Sequence, residues 1–183
     1  YVAVPVRNLI ELPDTISFEA AAMLEPSSVG IHALRRVGVV GVRSAAVLGT
    51  GTIGMLIAQW LRILGVADIY LVGTNDKQRE LAERLGFEHF YNTRECDVVQ
   101  QILKATDGNG TDLVIECTGF NEVLEECLNL AKRGGKVLLV GNPHGDMNLG
   151  RDIYWKILRK QLQLSGTWNS SFIPEEDEDD WTR

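Results

Sequence analysis

The sequence predicts a doubly wound α/β fold built on a six-stranded parallel sheet, and three observations predict it. Short, near-continuous apolar runs recur from Ala45 to the far end of the chain, as strands covered on both faces require. Stretches of helical periodicity fall between them, giving the alternation of a sheet wound on both sides. The first apolar run gives way to a helix through "GTGTIG", with glycines at 49, 51 and 54.

The segment before residue 44 stands apart. "YVAVPVRNLIELP" reads as an extended piece and a loop. "SFEAAAMLEPSSVGIHALRRVG" predicts a helix, a break at Pro26 and a second helix. Ser17 is the expected cap of the first, without a capping-box partner because Ala20 stands three residues on. Strands are then expected at 45–49, 68–73, 89–92, 112–117, 136–141 and 163–168. The helices between them are expected at 52–65, 76–86, 95–106, 120–132 and 151–160. Asp76 and Asn121 are the expected caps, and Gly65, Gly86 and Gly134 sit where helices should stop. The closing "PEEDEDDWTR" reads either as a solvated tail or as the first turn of a further helix.

Composition narrows the function. The 183 residues are 45% hydrophobic and 23% charged, an ordinary globular balance. A net charge of -7 argues against a nucleic-acid-binding surface, which is normally basic. No apolar run reaches the roughly eighteen residues of a membrane helix, so no membrane partner is expected. Cys96, Cys117 and Cys127 form no C-x-x-C pair and are odd in number. That pattern suits buried, reduced thiols in a cytoplasmic protein. Tyr1 in place of Met, and a stop just after an acidic run, lead us to expect a segment of a longer protein.

The glycines carry the chemistry. In G-x-G-x-x-G between a strand and a helix, the first glycine permits the tight turn and the second lets a pyrophosphate approach the backbone. The third lets helix and strand pack closely. The phosphates then lie on the helix N-terminus, where unpaired N–H groups and the dipole favour an anion. Gly49, Thr50, Gly51, Thr52, Ile53 and Gly54 are therefore the expected dinucleotide-binding turn of a Rossmann fold.

Beyond that turn, the sequence resembles the medium-chain dehydrogenase/reductases. The resemblance is to their zinc-dependent branch of sorbitol, threonine and galactitol-1-phosphate 5-dehydrogenases. It rests on "YVAVPVRNLIELPDTISFEAAAMLEPSSVGIHALRR", "AAVLGTGTIGMLIAQWLRILG", "DLVIECTG", "RGGKVLLVG" and "LSGTWNSSF". It implies an NAD(P)-binding domain at residues 41–183, with residues 1–40 as the joint to a catalytic domain. It further implies that Cys117, Thr118 and Gly119 lie along the cofactor. Val140, Gly141, Asn142 and Thr167–Ser170, among them Asn169, would approach the nicotinamide. Glu25, in "MLEPSS", falls where the branch keeps a glutamate at or near its catalytic zinc, whose other ligands would lie upstream of Tyr1. Such a zinc polarises the alcohol so that hydride can leave to the nicotinamide. The full-length protein is then expected to be a homo-oligomer oxidising a small alcohol or polyol, and this segment alone to be inactive. A zinc-free quinone-type reductase and a non-catalytic dinucleotide-binding module are the alternatives.

The second strand decides between NAD and NADP. NAD-specific folds usually place Asp or Glu at its end, roughly twenty residues beyond the glycine turn. Here that position is Gly73, followed by Thr74 and Asn75. The run resembles the Gly-Ser-Arg of NADP-linked relatives, but Asn75 replaces the Arg. Lys77, Arg79 or Arg94 could supply a cation for the extra phosphate, while Asp76 could serve a ribose hydroxyl. The balance leans to NADP.

Overall fold

The structure, a computed structural model, describes residues 2–172 and 179–181. A 3-10 turn, Val6–Asn8, precedes α1 (Phe18–Ala21) and α2 (Leu24–Val37). Then follow β1 (Ser44–Leu48), α3 (Thr52–Ile63), β2 (Asp68–Gly73), α4 (Asp76–Arg84), β3 (His89–Asn92), α5 (Val98–Ala105) and β4 (Thr111–Glu116). The chain continues through α6 (Asn121–Leu130), β5 (Ala131–Leu139), α7 (Arg151–Lys160) and β6 (Gln163–Gly166). All six strands pair in parallel in the order β3-β2-β1-β4-β5-β6. That is the Rossmann order, and the sequence reading of the fold is correct.

Alternation along the strands explains two cores from one sheet. Ala45 and Val47 face α2, α3 and α4, packing with Leu34, Ile57, Leu61 and Ala82. Ala46 and Leu48 face the opposite side, with Ile102 of α5 and Leu124 and Leu128 of α6. α2 shares the first core: Ile57 lies only 3.3 Å from where a Cβ on Gly30 would stand. The Trp60 indole fixes the crossing by donating to the Ser27 carbonyl at 3.1 Å.

Several local expectations need correction. Pro26 does not break the helix; it lies in the first turn of α2, where an N–H has no intrahelical partner to lose. The interruption comes at Ala22–Met23. Asn75, not Asp76, caps α4, its side chain accepting from the Gln78 N–H. Phe120 occupies the N-cap of α6, and Asn121 is its first residue. Gly65 and Gly86 follow their helices at φ 84° and 77°, as expected. Gly134 instead lies within β5, beyond the Leu130 end of α6.

At the amino end of the sheet, Asp112 accepts from the N–H groups of Arg43 and Ser44 at 3.0 and 2.9 Å, and pairs with Lys132. Burial pushes its pKa up, but Lys132, the two N–H groups and the Ser44 hydroxyl outweigh that and hold it at about 2, below the usual 3.8. The folded chain therefore favours the carboxylate. Its stabilisation is complete above the unfolded pKa and is lost as pH falls through the folded one. Nearly two pKa units correspond to about 2 kcal/mol. Asp112→Asn should cost that much in urea unfolding at pH 7, with the gap narrowing to roughly half by pH 3. A gap that stays constant over that range would rule out the carboxylate's charge as its source.

Candidate functional site

The three glycines of the first turn meet three different demands. Gly49 has φ +98°, and a Cβ there would come within 2.5 Å of Thr118 Cγ2. Gly54 lies against the turn, where a Cβ would collide with the Gly49 carbonyl oxygen. Gly51 differs from both: its φ of -74° suits any residue, and a Cβ would meet nothing within 4 Å. The space over Gly51 is open. Gly51 is the N-cap of α3 and no side chain caps that helix, so its first N–H groups remain free to meet an anion. Beside it, the Thr50 hydroxyl is buried with no hydrogen-bond partner among the described residues. Thr52 opens α3 and is exposed.

A second pair of turns faces the first across the strand-order switch. Glu116 ends β4 almost fully buried. Its Oε1 accepts from the N–H groups of Thr118 and Gly119 at 2.6 and 2.9 Å, and from the Thr118 hydroxyl. This carboxylate shapes the Cys117–Gly119 turn. Sequence reasoning missed it, although an acid at the end of "DLVIEC" is an available signal. Gly119 and Gly141 then interlock, since a Cβ on either would strike the other turn's backbone. Cys117–Gly119 and Val140–Asn142 are thereby brought together. Burial and the neighbouring Glu116 push the pKa of the Cys117 thiol up, which favours the thiol over the thiolate.

Past these turns lies a cavity of about 180 Å³, lined by Val29, Ile53, Val140, Asn142, Thr167, Trp168 and Asn169. Six of the residues expected along the cofactor, Ile53, Val140, Asn142, Thr167, Trp168 and Asn169, thus share one wall system. The Thr167 hydroxyl is buried there and also lacks a partner among the described residues. The open face of Gly51 and the orphaned Thr167 hydroxyl fit a polar ligand laid from α3 towards β6, while the Thr50 hydroxyl lies on the Gly73 side of the turn.

The β2 end is built differently. A Cβ on Gly73 would stand 2.6 Å from Phe90 Cζ and Thr50 Oγ1, and 2.7 Å from Gln78 Oε1. A carboxylate cannot enter unless those groups shift. Thr74 donates its N–H to Gln78, and Asn75 is used as the cap. Lys77 and Arg94 are exposed and form no ion pair among the described residues, whereas Arg79 is taken up by Asp76 and Glu95.

Residues 52–182 match the zinc-binding dehydrogenase family. The chain belongs to that family. L-Idonate 5-dehydrogenase from Vitis vinifera is 34% identical over 149 residues, covering 79% of this chain and 41% of that protein. The crystal structure of galactitol-1-phosphate dehydrogenase from Escherichia coli superposes with a TM-score of 0.82 at 28% identity, covering 92% of this chain and 49% of that one. A protein described as a zinc-binding dehydrogenase, from Sinorhizobium meliloti 1021 and bound to NADP, gives a TM-score of 0.81 at 28% identity, covering 90% and 48%. The chain spans about half the length of the curated relatives it matches, or less.

The metal in the family's name does not fit the described residues of this zinc-binding dehydrogenase chain. Glu25 lies in the first turn of α2, exposed at the rim of a cavity of about 560 Å³ whose other walls include Leu9, Ile10, Leu24, Phe172 and Trp181. Among the described residues no three His, Cys, Asp or Glu side chains converge. Zinc needs at least three protein ligands, so one carboxylate on an apolar rim cannot hold it. No helix among the described residues is long and apolar enough to cross a membrane.

Proposed function

We propose that this chain is the cofactor-holding part of a zinc-dependent, NAD(P)-linked dehydrogenase that oxidises a polyol, a sugar phosphate or another secondary alcohol. The observation that carries the reading is the open face of Gly51 at the uncapped start of α3, with the orphaned Thr50 hydroxyl beside it. A side chain is missing there for no steric reason inside the protein. A pyrophosphate supplies the reason. The nicotinamide, when bound, takes the hydride; the protein's residues bind it, orient it and keep water from it. The two turns shaped by Glu116 and Gly141 would hold the middle of the cofactor, and Val29, Ile53, Val140 and Thr167 would enclose its nicotinamide end. Zinc ligands would come from residues outside this chain, with Glu25 at the edge of that site. In the whole protein we expect a homo-oligomer.

The lean to NADP rests on Gly73. Neighbours crowd the seat of a ribose-binding carboxylate, while Lys77 and Arg94 are cations without partners among the described residues. NADPH should therefore bind at least ~3-fold tighter than NADH in fluorescence titrations at fixed ionic strength. NADH binding tenfold tighter, about 1.4 kcal/mol, would reverse the preference. The chain with added zinc and polyols should give no turnover, and steady turnover would place the catalytic apparatus within it after all.

A further inference from the structure

We propose that Asp180 is a positioning residue of the cofactor cavity, tying the Thr167–Ser171 loop on one side to α2 on the other. The inference rests on the cofactor reading given above. Nothing in the acidic run "PEEDEDD" marks this residue, yet its side chain is 1% exposed. A carboxylate stays that dry only when its charge and lone pairs are met. His32 Nδ1 lies 2.7 Å from Oδ2, and Arg35 Nη1 donates to Oδ1 at 2.7 Å, both from α2. From the loop, the Ser171 N–H donates to Oδ2 at 2.7 Å, and the Asp180 N–H returns a bond to the Ser171 carbonyl at 3.3 Å. The next residue repeats the tie, with the Trp181 indole donating to Ser170 Oγ at 3.1 Å.

Both ends of this brace adjoin walls of the same cavity without lining it. Val29 lies one helical turn before His32, and Thr167, Trp168 and Asn169 run directly into Ser170 and Ser171. The loop leaves the sheet through a bond from the Thr167 N–H to the Leu139 carbonyl, and Asn169 sits at φ +54°, a left-handed turn that asparagine tolerates better than most residues. The group so placed is the Thr167 hydroxyl, buried in the cavity wall with no partner among the described residues. Asp180 touches no ligand itself; it sets the distance between the wall that carries Val29 and the wall that carries Thr167.

The test separates this role from general stability. Asp180→Ala and its parent are titrated with NADPH and with 2′-phospho-ADP-ribose, which keeps the adenine half and lacks the nicotinamide. The variant should lose about tenfold in NADPH affinity and keep its affinity for the truncated ligand within about twofold. Arg35→Gln changes a side chain that is 40% exposed, so it should fold, and it should show the same selective loss at about threefold. If Asp180→Ala does not fold, Arg35→Gln decides. Equal NADPH affinity in variant and parent overturns the proposal while leaving the cofactor reading intact. Equal losses for both ligands overturn it too, because the effect is then not at the nicotinamide end. A parent that binds neither ligand removes both readings at once.

Discussion

Gly51→Val should abolish dinucleotide binding and leave the fold standing. The added side chain meets nothing of the protein within 4 Å of its Cβ, and φ is -74°, so neither packing nor backbone strain opposes it. Valine is a poor N-cap, which sets a cost to stability of about 1 kcal/mol. Binding is another matter. The methyl groups fill the space through which a pyrophosphate reaches the N–H groups of α3, and those charge-assisted bonds have no substitute. A loss of at least ~100-fold in affinity for NADPH is expected, about 2.7 kcal/mol. The check is a fluorescence titration beside a urea unfolding curve. A variant that binds like its parent would remove the pyrophosphate from this turn.

Three residues on, the same kind of change should have the opposite outcome. Gly54→Ala places a Cβ against the Gly49 carbonyl oxygen, with Gly49 C and Val47 Cγ1 at 3.1 and 3.4 Å. These neighbours are backbone and core, so β1 and α3 must move apart. Overpacking of that kind costs on the order of 2–3 kcal/mol, a large share of a domain's stability. The unfolding midpoint should fall accordingly, and binding should weaken because the turn itself is displaced. An unchanged midpoint would mean that helix and strand have slack which the packing does not show. Together the two variants separate a glycine required by the ligand from a glycine required by the fold.

What could be read from the sequence follows the range of the forces involved. Strand and helix placement came from local periodicity, and the glycine turn from a spacing of six residues. Errors arose where neighbouring residues could do the same job. Asn75 and Asp76 are both good caps, and only the observed ψ of 162° at Asn75 decides between them. At Pro26 and Gly134 the residue type signals an ending, although the chain at those points tolerates it inside an element. Asp180 was beyond local reasoning altogether. It resembles its acidic neighbours, and its charged partners on α2 lie 145 and 148 residues earlier. Glu116 was legible in principle, since an ionisable group in an apolar strand needs donors close by.

The strand order also imposes a schedule on the chain as it is made. β1 lies between β2, which follows it closely, and β4, whose anchor Asp112 is 68 residues from Ser44. Synthesis runs from the amino end, so β1, β2 and β3 all leave the ribosome before that anchor exists. Until it arrives, the inner edge of β1 has no native neighbour, and closing so long an interval is the entropically slow event. The turns after β1 and β4 meet only when that edge is sealed. On the cofactor reading proposed above, a dinucleotide that needs both turns would not assist a nascent half-sheet; it would only hold the seam shut once the chain has closed it.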